Sequence, residues 1–216
     1  MSYLITSEFE LNKVAAPNLP LAPTEYEARY QEQFNNVLRL YFNRLDSLFE
    51  QFTASTDISG LRAPYGAFSS DQDQTTTANT ATLMTLNTTD FANGVSIASS
   101  KITVANAGIY NLQFSVQAQN TDTQLHDMSI WLRQNGTDIV GSNGLISIPN
   151  KHGGVNGHGI YGWNYYLSMA AGNYVELYWS VTNAAVTIEH LPTQTGPVRP
   201  STQSVVVTMS FVSALP

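Results

Sequence analysis

The stretch Ile109-Tyr-Asn-Leu-Gln-Phe-Ser-Val-Gln-Ala118 decides the fold class. Tyr110, Leu112, Phe114, Val116 and Ala118 alternate with Asn111, Gln113, Ser115 and Gln117. Successive side chains of a strand point to opposite faces, so this period of two makes one apolar and one polar face. That is the pattern of a half-buried antiparallel strand. It returns on both sides. Met128, Ile130 and Leu132 alternate with Ser129, Trp131 and Arg133. Tyr161, Trp163, Tyr165, Leu167 and Met169 mark another strand, and Val175, Leu177, Trp179 and Val181 a further one. The chain closes on Val205, Val207, Met209 and Phe211.

Between these runs lie Asn93-Gly94, Ala107-Gly108, Asn135-Gly136, Asn143-Gly144 and Gly172-Asn173. Asn and Gly tolerate the positive φ of tight turns, and Asn135-Gly136 joins two strand-like runs as a hairpin would. About ten short strands at this spacing predict a sandwich or barrel.

Upstream the period changes to 3.6. From Thr24 to Phe52 apolar residues recur at three- and four-residue steps: Phe34, Val37, Tyr41, Leu45, Leu48 and Phe52, with Leu38, Phe42 and Phe49 in a second row beside them. This predicts one long amphipathic helix, N-capped by Thr24 with Glu27 completing a capping box. The stripe is wider than a two-stranded coiled coil needs. It is expected either to pack on the chain's own sheet or to meet copies of itself. Residues 1–23 form an arm with Leu4, Ile5, Phe9, Leu11, Leu19 and Leu21, and Pro17, Pro20 and Pro23 keep its end extended. A solvated tail has little reason to carry those apolar side chains, so the arm is expected to dock on something else. The chain thus divides into an arm (1–23), a helix (24–52), a polar linker (53–63) and a β domain (64–216).

Composition removes several function classes. Of 216 residues only 12% are charged, and the net charge is −7. The nine basic residues are scattered, which argues against nucleic acid. Cysteine is absent, so disulfides, thiolate metal sites and cysteine nucleophiles are excluded. No run approaches the ~18 apolar residues of a membrane span, and the N-terminus lacks a signal-peptide pattern. Synthesis and assembly are therefore expected in a cytoplasm.

No enzyme motif stands out, and no catalytic residue, metal site or cofactor is expected. His152 and His158 flank Gly153-Gly-Val-Asn-Gly157, which reads as a glycine-rich loop; zinc would need two more ligands. His126-Asp127 and Glu189-His190 set imidazole beside carboxylate, but neighbouring strand residues face opposite ways. Asp71 and Asp73 have calcium-loop spacing without the glycine and glutamate of an EF-hand. Asn143, Lys151, His152 and His158 are the candidate ligand-loop residues. The remaining enrichment is aromatic. Trp131, Tyr174 and Tyr178 lie out of phase with the apolar faces of their strands, so those strands are apolar on both sides. Trp131, Tyr174 and Tyr178 are therefore expected to be head subunit contacts, covered by a neighbouring copy; the alternative is sugar stacked on them, as in a lectin.

The block Ile102-Thr-Val-Ala-Asn-Ala-Gly-Ile-Tyr-Asn-Leu-Gln-Phe-Ser-Val116 resembles a strand pair of the complement C1q and tumour necrosis factor jelly roll. Ile130-Trp-Leu-Arg-Gln-Asn-Gly-Thr137 is similar to that family's Asn-Gly hairpin. Tyr166-Leu-Ser-Met-Ala-Ala-Gly-Asn-Tyr-Val-Glu-Leu177 is similar to its leucine–glycine–aspartate–valine segment, with Asn173 in place of the aspartate. The arm and helix, at Asn18-Leu-Pro-Leu-Ala-Pro-Thr-Glu-Tyr26 and Val37-Leu-Arg-Leu-Tyr-Phe-Asn-Arg-Leu-Asp46, resemble N-terminal segments of tailed-bacteriophage structural proteins. Pro64-Tyr-Gly-Ala-Phe68 matches how such β domains often begin. The resemblance implies a mainly β, C1q/TNF-like jelly-roll sandwich carried on an extended arm and one long helix. It implies a homotrimeric, non-enzymatic virion protein, a capsid decoration or a fibre or tail-associated knob, anchored to other virion proteins by its N-terminus. The alternative it leaves is a host-attachment adhesin that binds a cell-surface glycan or protein.

Overall fold

A computed structural model describes residues 17–21, 24–53 and 63–215. It is mainly β: two antiparallel sheets form a sandwich, and one helix precedes them in the chain. The chain divides into two compact units, the second beginning at Ala63.

In the first unit the helix α1 spans Ala28–Thr53. The expected start at Thr24 is corrected, because Thr24 and Glu25 lie in a bend. The Gln31 amide donates to the Glu27 carbonyl at 3.2 Å, so Glu27 rather than Thr24 closes the first turn. The Tyr30 hydroxyl donates to the Pro20 carbonyl at 3.3 Å. That tie folds the proline-rich stretch back beside the first turn, and residues 24–27 serve as the reversal instead of as helix. Tyr30, Phe34, Val37, Leu38, Tyr41 and Leu45 are half-buried, and no described helix side chain is buried. Leu40 and Phe42 are exposed, as are Leu19 and Leu21 of the arm. Leu4, Ile5, Phe9 and Leu11 lie outside the described residues, as do the side chains of Leu48, Phe49 and Phe52.

The second unit starts with β1 (Tyr65–Ser70), β2 (Thr82–Leu83), β3 (Thr88–Asn93), β4 (Val95–Ala98) and β5 (Lys101–Val104). Then come β6 (Gly108–Asn120), β7 (His126–Gln134), β8 (Thr137–Asp138), β9 (Gly144–Ile148), β10 (Gly157–Tyr161) and β11 (Asn164–Met169). The chain ends with β12 (Tyr174–Val181), β13 (Val186–Ile188), β14 (Gln194–Thr195), β15 (Val198–Arg199) and β16 (Val205–Ser213).

The first sheet has the order β10-β6-β16-β1-β3, with β11 and β13 also on β6. The second has the order β4-β5-β12-β7-β8, with β2 on β12 and β9 on β7. The expected strand from Tyr161 to Met169 is present as β11 plus the end of β10. Both pair with β6 in one register, Tyr161 opposite Val116 and Asn164 opposite Gln113. The ladder breaks at Gly162-Trp163, where a Cβ on Gly162 would meet the Phe114 carbonyl oxygen at 2.0 Å. The Asn135-Gly136 hairpin forms as expected between β7 and β8, with φ of 50° and 82° at the two turn residues.

The inner faces alternate as the sequence does. Leu112, Val116, Met128, Ile130, Leu132, Trp179 and Val207 are fully buried between the sheets. Tyr110 is fully buried too, and its hydroxyl donates to the Asn106 carbonyl at 2.8 Å. Burial pushes its pKa from 10.0 up to about 12. The unfolded chain therefore loses this proton first as pH rises. The stabilisation is complete below about pH 10 and falls away as pH rises through about 12. Denaturant melts from pH 8 upward should show that decline, and Tyr110→Phe should remove it while costing about 1 kcal/mol at neutral pH for the lost hydrogen bond. An unchanged alkaline slope in the variant would refute the assignment.

Candidate functional site

Along β7 and β12, residues opposite one another share a face. Tyr178 pairs with Trp131 and Glu176 with Arg133. Because Leu177 and Trp179 point into the core, Tyr174, Glu176 and Tyr178 point outward. Trp131, Tyr174 and Tyr178 are thereby gathered on the outer face of the second sheet. The Trp131 and Tyr178 rings lie 5.9 Å apart, tilted by 34°.

Charged groups already lie against these rings. The Arg133 guanidinium lies over Tyr178 at 3.9 Å, and the Lys101 ammonium over Tyr174 at 4.4 Å. Asp138 accepts from the Trp131 indole N–H at 2.9 Å and from Arg133 Nε at 2.8 Å. These two bonds, Arg133 first, hold the Asp138 carboxyl below the usual carboxylate range. The hairpin explains the meeting: its Asn-Gly turn puts Asp138 opposite Arg133.

Between the rings stands Glu176, 5% exposed although it points outward. Among the described residues no hydrogen bond or ion pair reaches its carboxylate, yet its oxygens are not sealed from solvent. Sequence reasoning missed Arg133, Asp138 and Glu176. The hairpin register carried the signal for Asp138, and the period of two for the outward face of Glu176. Nothing in the sequence marks its burial.

The candidate loop residues separate in space. Lys151 donates its amide to the Asp122 carbonyl at 2.7 Å, beside the end of β6. His152 stays in the same loop, bridged to Val155. Asn143 lies elsewhere, next to Gly144, which pairs with Ile130, whereas Ile148 pairs with His126. Those levels of β7 are about 13 Å apart. His158 is on β10 rather than in the glycine-rich loop, paired with Gln119.

Both imidazole–carboxylate pairs differ from the sequence neighbours. His126 Nε2 bonds Asp122 at 2.8 Å, which with the Thr123 amide lowers the Asp122 pKa. His158 Nδ1 bonds the buried Glu189 at 2.5 Å across β6. Asp71 and Asp73 turn to separate partners, the Asn87 amide and the His190 backbone N–H.

No protein-family model matches the chain, and no curated protein sequence matches it.

The tie at Asp138 is complete above the ordinary carboxyl pKa of 3.8 and is lost only as pH falls through the depressed value. An NMR titration should therefore find Asp138 ionised after the exposed aspartates have protonated. Arg133→Gln should bring it back toward 3.8, and a titration unmoved by that substitution would remove Arg133 as the cause.

Proposed function

We propose that the chain is a non-enzymatic structural protein of a virion, assembled as a homotrimer whose β domain is a jelly-roll head. The observation that carries the trimer is the stripe on α1. Phe34, Leu38, Tyr41 and Leu45 follow steps of four, three and four, and Leu48 and Phe52 continue them in sequence. That is a heptad seam, and Val37 and Phe42 widen it on either flank. None of the described seam side chains is buried. Copies of the same helix satisfy every position at once.

The head supports the same reading. Successive strands change sheets, from β5 to β6, β6 to β7, β9 to β10, β11 to β12 and β12 to β13, as in a Greek-key sandwich. The two outer faces differ in charge. On β6, β11 and β16 the outward residues, Asn111, Gln113, Ser115, Tyr166, Thr208 and Ser210 among them, are all uncharged. Tyr166 is 59% exposed, and Ile160, on β10 farther along β6, is 71% exposed. Residues 64–216 hold eight Asp and Glu against four Lys and Arg, so these like-charged heads meet with least repulsion across those uncharged strands. We therefore assign head-to-head contact to the first sheet, leaving Trp131, Tyr174 and Tyr178 outside it.

The virion part rests on the bacteriophage resemblance of residues 18–26, 37–46 and 64–68. In this reading the arm docks on another virion protein, either on the capsid or on the tail, and assembly takes place in the host cytoplasm.

Light scattering on the full chain should give three times 23.6 kDa. Phe34→Asp or Leu45→Asp should lower that mass, since each places a carboxylate in an apolar seam. A monomeric full chain would sink the trimer. Gold-labelled antibody on purified particles should decorate the capsid or tail; particles without label would sink the virion assignment.

A further inference from the structure

The outer face of the second sheet has a composition unlike the first. Around Trp131 and Tyr178 stand Arg133, Asp138 and Glu176, and Lys101 lies farther along the same face, over Tyr174. A phosphate or sulfate approaching the rings meets both carboxylates, and a cation meets Arg133 and Lys101. Charges of both signs alternate along the face and sum to zero over it as a whole, which favours a ligand that is neutral yet both donates and accepts hydrogen bonds.

Two groups await such a ligand. Arg133 has five N–H donors, of which Nε is used on Asp138. Glu176 has no donor at all among the described residues, although 95% of its surface is covered. The two residues are directly opposite on neighbouring strands, their Cα atoms about 5 Å apart, so a donor and an acceptor stand side by side on one face. Beside them the indole offers a flat apolar surface, held in place by its own bond to Asp138.

From this juxtaposition we propose that the face binds an uncharged sugar, a pyranose whose C–H face stacks on Trp131. One hydroxyl donates to Glu176 and a neighbouring hydroxyl accepts from Arg133. The site is independent of the virion reading. It gives the chain a recognition function in addition to a structural one.

The test uses the full chain on an array of neutral and sialylated oligosaccharides, followed by calorimetry with the best neutral one. The neutral glycans should be retained. Glu176→Gln, which keeps shape but cannot accept as a carboxylate does, should weaken binding about tenfold or more. Trp131→Ala should abolish it, and Trp131→Phe, which keeps a flat ring, should retain part. Thermal melts of each variant check folding. The unmodified chain gives an answer that does not depend on any variant, because the sugar must shift the Trp131 indole N–H resonance. Failure to retain any neutral glycan would overturn the proposal. So would binding unchanged in Glu176→Gln and Trp131→Ala, a preference for sialylated glycans, or resonance shifts confined to other residues. A fall in oligomer mass in folded Trp131→Ala would also overturn it, by showing that a second copy covers this face.

Discussion

The register of β6 is the constraint on which the sandwich depends. One edge of this strand carries β10 and β11, and the other carries β13 and β16. A slip of one residue would turn Leu112, Phe114 and Val116 out and Gln113, Ser115 and Gln117 in. Polar side chains hold both ends. At the start the buried Tyr110 hydroxyl bonds Asn106. At the end the fully buried Asn120 donates to the Gln124 carbonyl at 2.9 Å and accepts from the Asp122 amide at 2.9 Å. Either group left unpaired by a slip would cost about 1–3 kcal/mol. Apolar alternation thus sets which face is inside, and two buried polar groups set where along the strand it begins and ends.

That division explains what was legible in the sequence. The period of two is local and survives in one dimension, so β6, β7, β12 and β16 can be read directly. The Asn135-Gly136 hairpin is read from two residues because only positive φ fits there. The helix start was not legible, since it turns on a bond from Tyr30 back to Pro20 that capping patterns do not encode. The interruption at Gly162 depends on a carbonyl of the neighbouring strand. The pair His158–Glu189 is 31 residues apart and joins only because both strands flank β6. In the candidate site, the outward phase of Trp131, Tyr174 and Tyr178 was visible. What lies on those rings was not, because Lys101, Arg133 and Asp138 reach them from other strands.

The two outer faces use the same scaffold for opposite electrostatic ends. In the proposed trimer the uncharged strands β6, β11 and β16 would tolerate close approach of an identical, like-charged head, while Asp90 and the His158–Glu189 pair stand on or beside the flanking strands of that sheet. A face with balanced charge opposes that, because each fixed ion must be desolvated and rematched in the partner. In this chain the core separates the two faces, about 10 Å of packed side chains between the sheets.

The helix then supplies what the head alone cannot. Helical stability comes mostly from packing an amphipathic face, so the stripe on α1 calls for a partner. Completing the burial of Phe34, Leu38, Tyr41 and Leu45, which are half-buried already, would contribute about 3–6 kcal/mol per protomer. Bringing protomers together costs about 4–15 kcal/mol. The described seam therefore roughly balances association, and a stable proposed trimer needs a second contact in series with it. The uncharged face of the first sheet is suited to be that contact. Each contact is too weak alone and adequate when the other holds it at high effective concentration. Assembly built this way is cooperative: loss of one seam residue is felt at the heads, and loss of head contact is felt along the helix.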